Sequence, residues 1–151
     1  MPILLLTILV LAVDQWSKHY IQSQMVPGLS IPIIPNIFHI TFVLNPGAAF
    51  GILEHQTAFL VVVAGIMVAA VLYFYPHIPH KDHYLLRLGI GLMMGGAIGN
   101  VIDRVKTGYV IDFFDFRIWP VFNIADMSIV IGVGCIILHM MNLSDKEDDK
   151  S

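Results

Sequence analysis

The stretch VIDFFDFRIWPVFNIAD, residues 110–126, places three aspartates, Asp112, Asp115 and Asp126, just before a long apolar run, with Asn123 close to the last. Charged carboxylates are costly beside a bilayer, so their presence there points to chemistry. Two facing carboxylates supply one kind. They share a single proton; the charged member acts as base toward a water, and the protonated member donates a hydrogen bond to the carbonyl under attack. Neither a nucleophilic serine nor a metal is needed. Asp126 and one aspartate of the 110–116 loop are the candidates.

Rival constellations are weaker. His77, His80 and His83 recur every three residues beside Asp82, a spacing that hints at metal, but Pro76 and Pro79 disrupt the helix that would align them. Cys135 and His139 share a helical face at i, i+4 without an orienting acid, so packing is their expected role. HExxH, a nucleophile elbow and a phosphate loop are all missing. No metal and no cofactor are expected.

The elements that must position these residues follow from composition. Of 151 residues, 57% are hydrophobic and only 13% charged, with a mean hydropathy of +0.78. That is the composition of a polytopic membrane protein. The net charge of -3 gives no reason to expect nucleic acid as a partner. The single cysteine, Cys135, excludes an intrachain disulfide. The N-terminal segment lacks a basic n-region and a small-x-small cleavage site, so it is expected to be retained as a span.

Four spans are expected within one membrane domain, 1–151: about 3–25, 57–75, 85–101 and 124–141. The segment 26–56 is broken by Pro27, Pro32 and Pro35, while Phe38, Ile40, Phe42 and Leu44 alternate with His39, Thr41 and Val43. This predicts a short sheet on the outer membrane surface. The fold class is thus an α-helical polytopic membrane protein, four transmembrane helices with a small extracytoplasmic β-sheet. The 76–84 connection contains Lys81 and precedes Arg87, whereas 19–56 has no Lys or Arg. That places both termini in the cytoplasm and makes 26–56 and 102–123 extracytoplasmic, although Arg104, Lys106 and Arg117 weigh the other way. The charged tail, 142–151, carries no motif.

With this topology every polar cluster near a span end meets at one membrane face. Each has a modest explanation by itself. Asp14 and Lys18, at i, i+4, fit a helix-surface ion pair and equally a role in organising a site. Asn123 and Asp126 form a helix cap. Gly95 and Gly99 let helices approach closely. Asp115 is expected to be a solvated loop residue, and a headgroup anchor would by itself account for Arg104. Their joint occurrence at one face is what an active site requires.

Five motifs in order, DQWSK at 14–18, NPGAAFG at 45–51, GGAIGNVIDR at 95–104, VIDF at 110–113 and FNIAD at 122–126, resemble the lipoprotein signal peptidases, the type II signal peptidases of bacteria. The resemblance covers almost the whole chain. It implies a membrane aspartyl endopeptidase whose catalytic aspartates are Asp112 and Asp126. It also implies supporting or substrate-holding roles for Asp14, Lys18, Asn45, Gly47, Asn100, Asp103, Arg104, Asn123 and Ala125. The implied reaction removes the signal peptide from prolipoproteins bearing a diacylglyceryl-cysteine, cutting just before that cysteine at the bacterial cytoplasmic membrane. Membrane lipids and the cyclic peptide inhibitor globomycin are the other implied partners. A proton-conducting subunit using Asp14, Asp126 and Arg104 would instead need polar residues at several depths, and the second and third spans have bare interiors. A purely structural subunit would leave the aspartates without a role.

Overall fold

A computed structural model describes residues 2–47, 56–77 and 83–148. Among these residues four α-helices and three strands follow in the order α1 Pro2–Gln24, β1 Ser30–Ile34, β2 Phe38–Asn45, α2 Thr57–Phe74, α3 Tyr84–Thr107, β3 Val110–Asp115 and α4 Ile124–Asp148. Helix α3 is central and packs against each of the other three helices. Close approach depends on small residues. A Cβ at Gly96 would collide with the Ala125 carbonyl of α4, and one at Gly99 with the Asp14 carboxylate of α1.

Helix α1, with the residue that follows it, buries a stripe of residues three or four apart: Ile3, Thr7, Val10, Asp14, Lys18, Ile21 and Met25. Its other side exposes Leu4, Leu5, Ile8, Leu9 and Trp16. Asp14 and Lys18 therefore lie inside the bundle, so of the two readings their spacing allows, the surface ion pair is excluded. The stripe gives the reason: both positions continue the register of Ile3, Thr7 and Val10. Helix α2 is the opposite case, uncharged throughout and without a buried residue. Among the described residues three helices are long and apolar enough to cross a membrane, Thr57–Phe74, Tyr84–Thr107 and Ile124–Leu143.

Helix α3 continues past the expected span, about 85–101, as far as Thr107. It stops at Gly108, whose φ of 82° a glycine adopts freely and whose N–H closes on the Arg104 carbonyl. The last turns of α3 carry Asn100, Asp103 and Arg104, the latter two three and four residues after the first.

The sheet is antiparallel throughout, in the order β1-β2-β3. Asn36, at φ 61°, forms the β1–β2 hairpin turn, a conformation asparagine tolerates better than most residues. The segment 110–115, expected as a loop, is instead the strand β3, with Val43 opposite Asp112 and His39 opposite Asp115. Five of its six residues are buried, so it shows none of the apolar–polar alternation that marks a half-exposed strand. Ile111 and Phe113 pack with Phe42 onto Ile21 and Met25, seating the sheet on the end of α1.

Candidate active site

Strand β3 and the start of α4 bring Asp112 and Asp126 to one cleft. Asn123 caps α4 reciprocally: its Oδ1 accepts from the Asp126 N–H at 2.9 Å, and the Asp126 Oδ2 accepts from the Asn123 N–H at 3.2 Å. The same Asn123 side chain donates to Asp112 Oδ1 at 2.7 Å. One residue thus caps the helix and ties the two aspartates together. Asn45, from the end of β2, donates to Asp112 Oδ2 at 2.8 Å, so both oxygens of Asp112 are held. Asn100 donates to Asp126 Oδ1 at 2.8 Å, and its own Oδ1 accepts from Lys18 and Asn123.

Behind this pair lies a buried charged layer. Lys18, 1% exposed, bridges Asp14 at 2.9 Å and Asp103 at 2.8 Å. Asp14, fully buried, accepts from the Ala125 N–H at 3.0 Å, which fixes the first turn of α4 against α1. Asp103 accepts from the Ile111 N–H and so fixes β3 against α3. Arg104 donates to the Gly47 carbonyl at 2.8 Å, and the Gly47 N–H donates to Asn45. Asp14, Lys18, Asn45, Gly47, Asn100, Asp103, Arg104, Asp112, Asn123, Ala125 and Asp126 all belong to this connected assembly.

Burial and the charge of Asp126 push the Asp112 carboxyl up to about 7. Hydrogen bonds from Asn45 and Asn123 and the charge of Lys18 act the other way and are outweighed. The pair opens onto a cleft of about 500 Å³. Asn45, Arg104, Asp112 and Asp126 lie at its polar end, and Val110, Val121, Ile129 and Val130 are among its apolar walls.

Asp115 belongs elsewhere, and the expectation of a solvated loop residue is corrected. It is 4% exposed and accepts from Thr41 Oγ1 at 2.8 Å and from the Arg117 guanidinium at 2.9 Å. Burial would raise its carboxyl, but these hydrogen bonds, one from the Arg117 N–H and the Arg117 charge hold it below the usual value. The reason for burial is its strand position opposite His39.

One member of the assembly escaped the sequence reading. Gln15 donates to Asp14 Oδ2, Asp103 Oδ1 and the Gly99 carbonyl, joining α1 to α3. Its adjacency to Asp14 within DQWSK was the available signal. Among the described residues no group of histidine, cysteine or acidic side chains is placed to hold a metal. His83 faces His139 with nitrogens 2.9 Å apart, and His80 and Asp82 lie outside the described residues, as does most of NPGAAFG.

The sequence model of the family described as Signal peptidase (SPase) II matches residues 6–142. The chain belongs to the signal peptidase II family. The lipoprotein signal peptidase of Moorella thermoacetica is 53% identical over 133 residues, 88% of each chain. That of Pelotomaculum thermopropionicum is 48% identical over 142 residues, 93% of this chain and 92% of the relative. A solved bacterial membrane enzyme, 37% identical, superposes with a TM-score of 0.86 over 96% of this chain and 90% of its own. As a signal peptidase II, the protein is a multi-pass membrane protease of the aspartic type.

Proposed function

We propose that Asp112 and Asp126 are the catalytic pair, and that the protein cleaves diacylglyceryl-modified prolipoproteins just before the lipidated cysteine. Removal of prolipoprotein signal peptides is the activity of the family to which the chain belongs. The observation that carries the residue assignment is the Asp112 carboxyl, raised to about 7 beside Asp126 in a cleft with apolar walls. Asp112 then keeps a proton near neutrality while Asp126 accepts one.

The steps follow from those two states. Asp126 takes a proton from a water as its oxygen attacks the scissile carbonyl carbon. Asp112 gives its proton to the carbonyl oxygen, forming a neutral gem-diol. On collapse, Asp126 returns a proton to the leaving amide nitrogen and Asp112 recovers its own from a gem-diol hydroxyl. The C–N bond breaks, leaving a carboxyl on the signal peptide and a free amino group on the cysteine. Asn123 and Asn45 hold Asp112 through both steps, and Asn100 holds Asp126.

Four spans in one membrane domain, 1–151, suit the packing of α1, which turns apolar side chains outward and its charges inward. Both termini lie in the cytoplasm and the cleft opens at the extracytoplasmic face, the orientation that the charges of Lys81 and Arg87 favour, with Arg87 at the start of α3 and Arg104 near its other end. In a Cys135→Ala background, a thiol introduced at Gly28 should label from outside and one at Ser144 should not; the reverse pattern overturns the orientation. A substrate anchored by its acyl chains and signal helix would present its bond at this membrane boundary, and globomycin would compete for the same cleft.

The purified protein should cut a diacylglyceryl-modified prolipoprotein immediately before the modified cysteine and leave the unmodified form intact. Equal cleavage of both forms would contradict the substrate assignment.

A further inference from the structure

The segment that follows β3 supplies one wall of the cleft, through Trp119, Pro120, Val121 and Phe122. Its two ends are fixed. Phe122 pairs with Phe114 through backbone hydrogen bonds in both directions, and the Phe116 and Phe122 rings stack at 5.9 Å. Between them the chain reverses at Arg117, where φ is 66°. That left-handed conformation is uncommon for arginine and persists only where its surroundings impose it.

Asp115 imposes it. Its Oδ1 accepts from the Arg117 N–H at 2.9 Å and its Oδ2 from the Arg117 guanidinium at 2.9 Å. The carboxylate is itself held from behind, since Thr41 Oγ1 donates to Oδ2 and Thr41 shares a hydrogen bond of 2.8 Å with Ser30 Oγ. The chain Ser30–Thr41–Asp115–Arg117 therefore crosses all three strands and ends at the reversal. Just past it, Ile118 is 93% exposed, so packing of that side chain does not set the segment's course.

We propose that Asp115 is a positioning residue for substrate: by fixing the reversal at Arg117 it sets the wall Trp119–Phe122 against which the peptide lies. It touches no reacting atom. The inference rests on the cleft being the cleavage site and adds a determinant of substrate binding distinct from the Asp112–Asp126 pair. A residue needed only for folding would lower the amount of active enzyme. A residue that sets the wall changes KM and leaves kcat alone.

The test is steady-state cleavage of a diacylglyceryl-modified prolipoprotein by the full chain, with active enzyme counted by inhibitor titration. Asp115→Ala should raise KM about tenfold, the scale of losing charge-assisted hydrogen bonds, with kcat within about twofold of native. Asp115→Asn, which keeps an acceptor for the Arg117 N–H, should fall between. The double variant Asp115→Ala, Arg117→Ala should be no worse than Asp115→Ala alone, because both act through one contact. Should Asp115→Ala fail to fold, Arg117→Ala on its half-exposed side chain must still raise KM. A native KM in whichever of these folds, or a fall in kcat at constant KM, overturns the proposal. Asp112→Asn is assayed alongside: if it cleaves normally the site itself is misassigned, whereas an inactive Asp112→Asn with a native KM in Asp115→Ala removes the positioning role alone.

Discussion

Asp112 and Asp115 stand three residues apart on one strand, both nearly without solvent contact, yet their carboxyls are driven in opposite directions. Burial raises both. At Asp112 a second carboxylate, Asp126, adds to the rise, and the amides of Asn45 and Asn123 do not offset it. At Asp115 three hydrogen-bond donors, one of them the charged Arg117 guanidinium, reverse the effect. Burial alone does not make a buried aspartate reactive; the sign of its neighbour decides. A carboxyl that keeps its proton near neutrality can act as an acid, and one that is permanently charged can hold a loop.

The contrast breaks most visibly in activity. Asp112→Asn or Asp126→Asn should each lower turnover by about a thousandfold or more in a lipidated-substrate assay, since members of a catalytic unit typically cost that much. Normal turnover in either variant would end the assignment of the pair.

Lys18→Met sharpens it from behind. It leaves Asp14 and Asp103 buried without their cation, a loss on the order of 3 kcal/mol for a broken buried ion pair. Thermal unfolding in detergent would read this as a large drop in midpoint. The charge of Lys18 also lowers Asp112, so in the protein that folds, the loss of activity at high pH should move upward. A native unfolding midpoint would show the layer to be dispensable.

Stability itself should depend on pH through Asp112. An unfolded aspartate ionises near 3.8, whereas the folded Asp112 holds its proton to about 7. The folded state binds that proton more tightly, so this contribution is complete below about 3.8 and is lost as pH rises through about 7. Asp112→Asn should flatten that decline in unfolding scans between mildly acidic and mildly alkaline buffer, and an equally steep decline in the variant would contradict it. The smallest effect belongs to the exposed side of α1: Trp16→Leu should change stability by no more than about 0.5 kcal/mol and leave cleavage intact.

Much of the site was legible in the sequence because the motifs carry its side chains at fixed local offsets. Asn123 and Asp126 cap a helix at the spacing a capping box needs, and Asn100, Asp103 and Arg104 share one helical end. What was missed depends on distant partners. For Asp14 and Lys18 a surface pair stayed open beside a role in the site, because i, i+4 spacing says nothing of burial, although the stripe through Ile3, Thr7 and Val10 was there to count. Strand β3 was hidden by being buried on both faces. Asp115 acquires its role from Thr41, 74 residues earlier, a contact no local pattern announces.

If Asp112 works as the acid beside Asp126, its carboxyl carries a proton near neutral pH. The pH dependence of kcat/KM on a lipidated prolipoprotein tests it directly, since that profile reports the free enzyme's ionisations. Activity should fall on the alkaline side as Asp112 titrates at about 7, with the same fall in Asp115→Asn. A profile that stays flat from neutrality well into the alkaline range, or an alkaline fall abolished by Asp115→Asn, would contradict it.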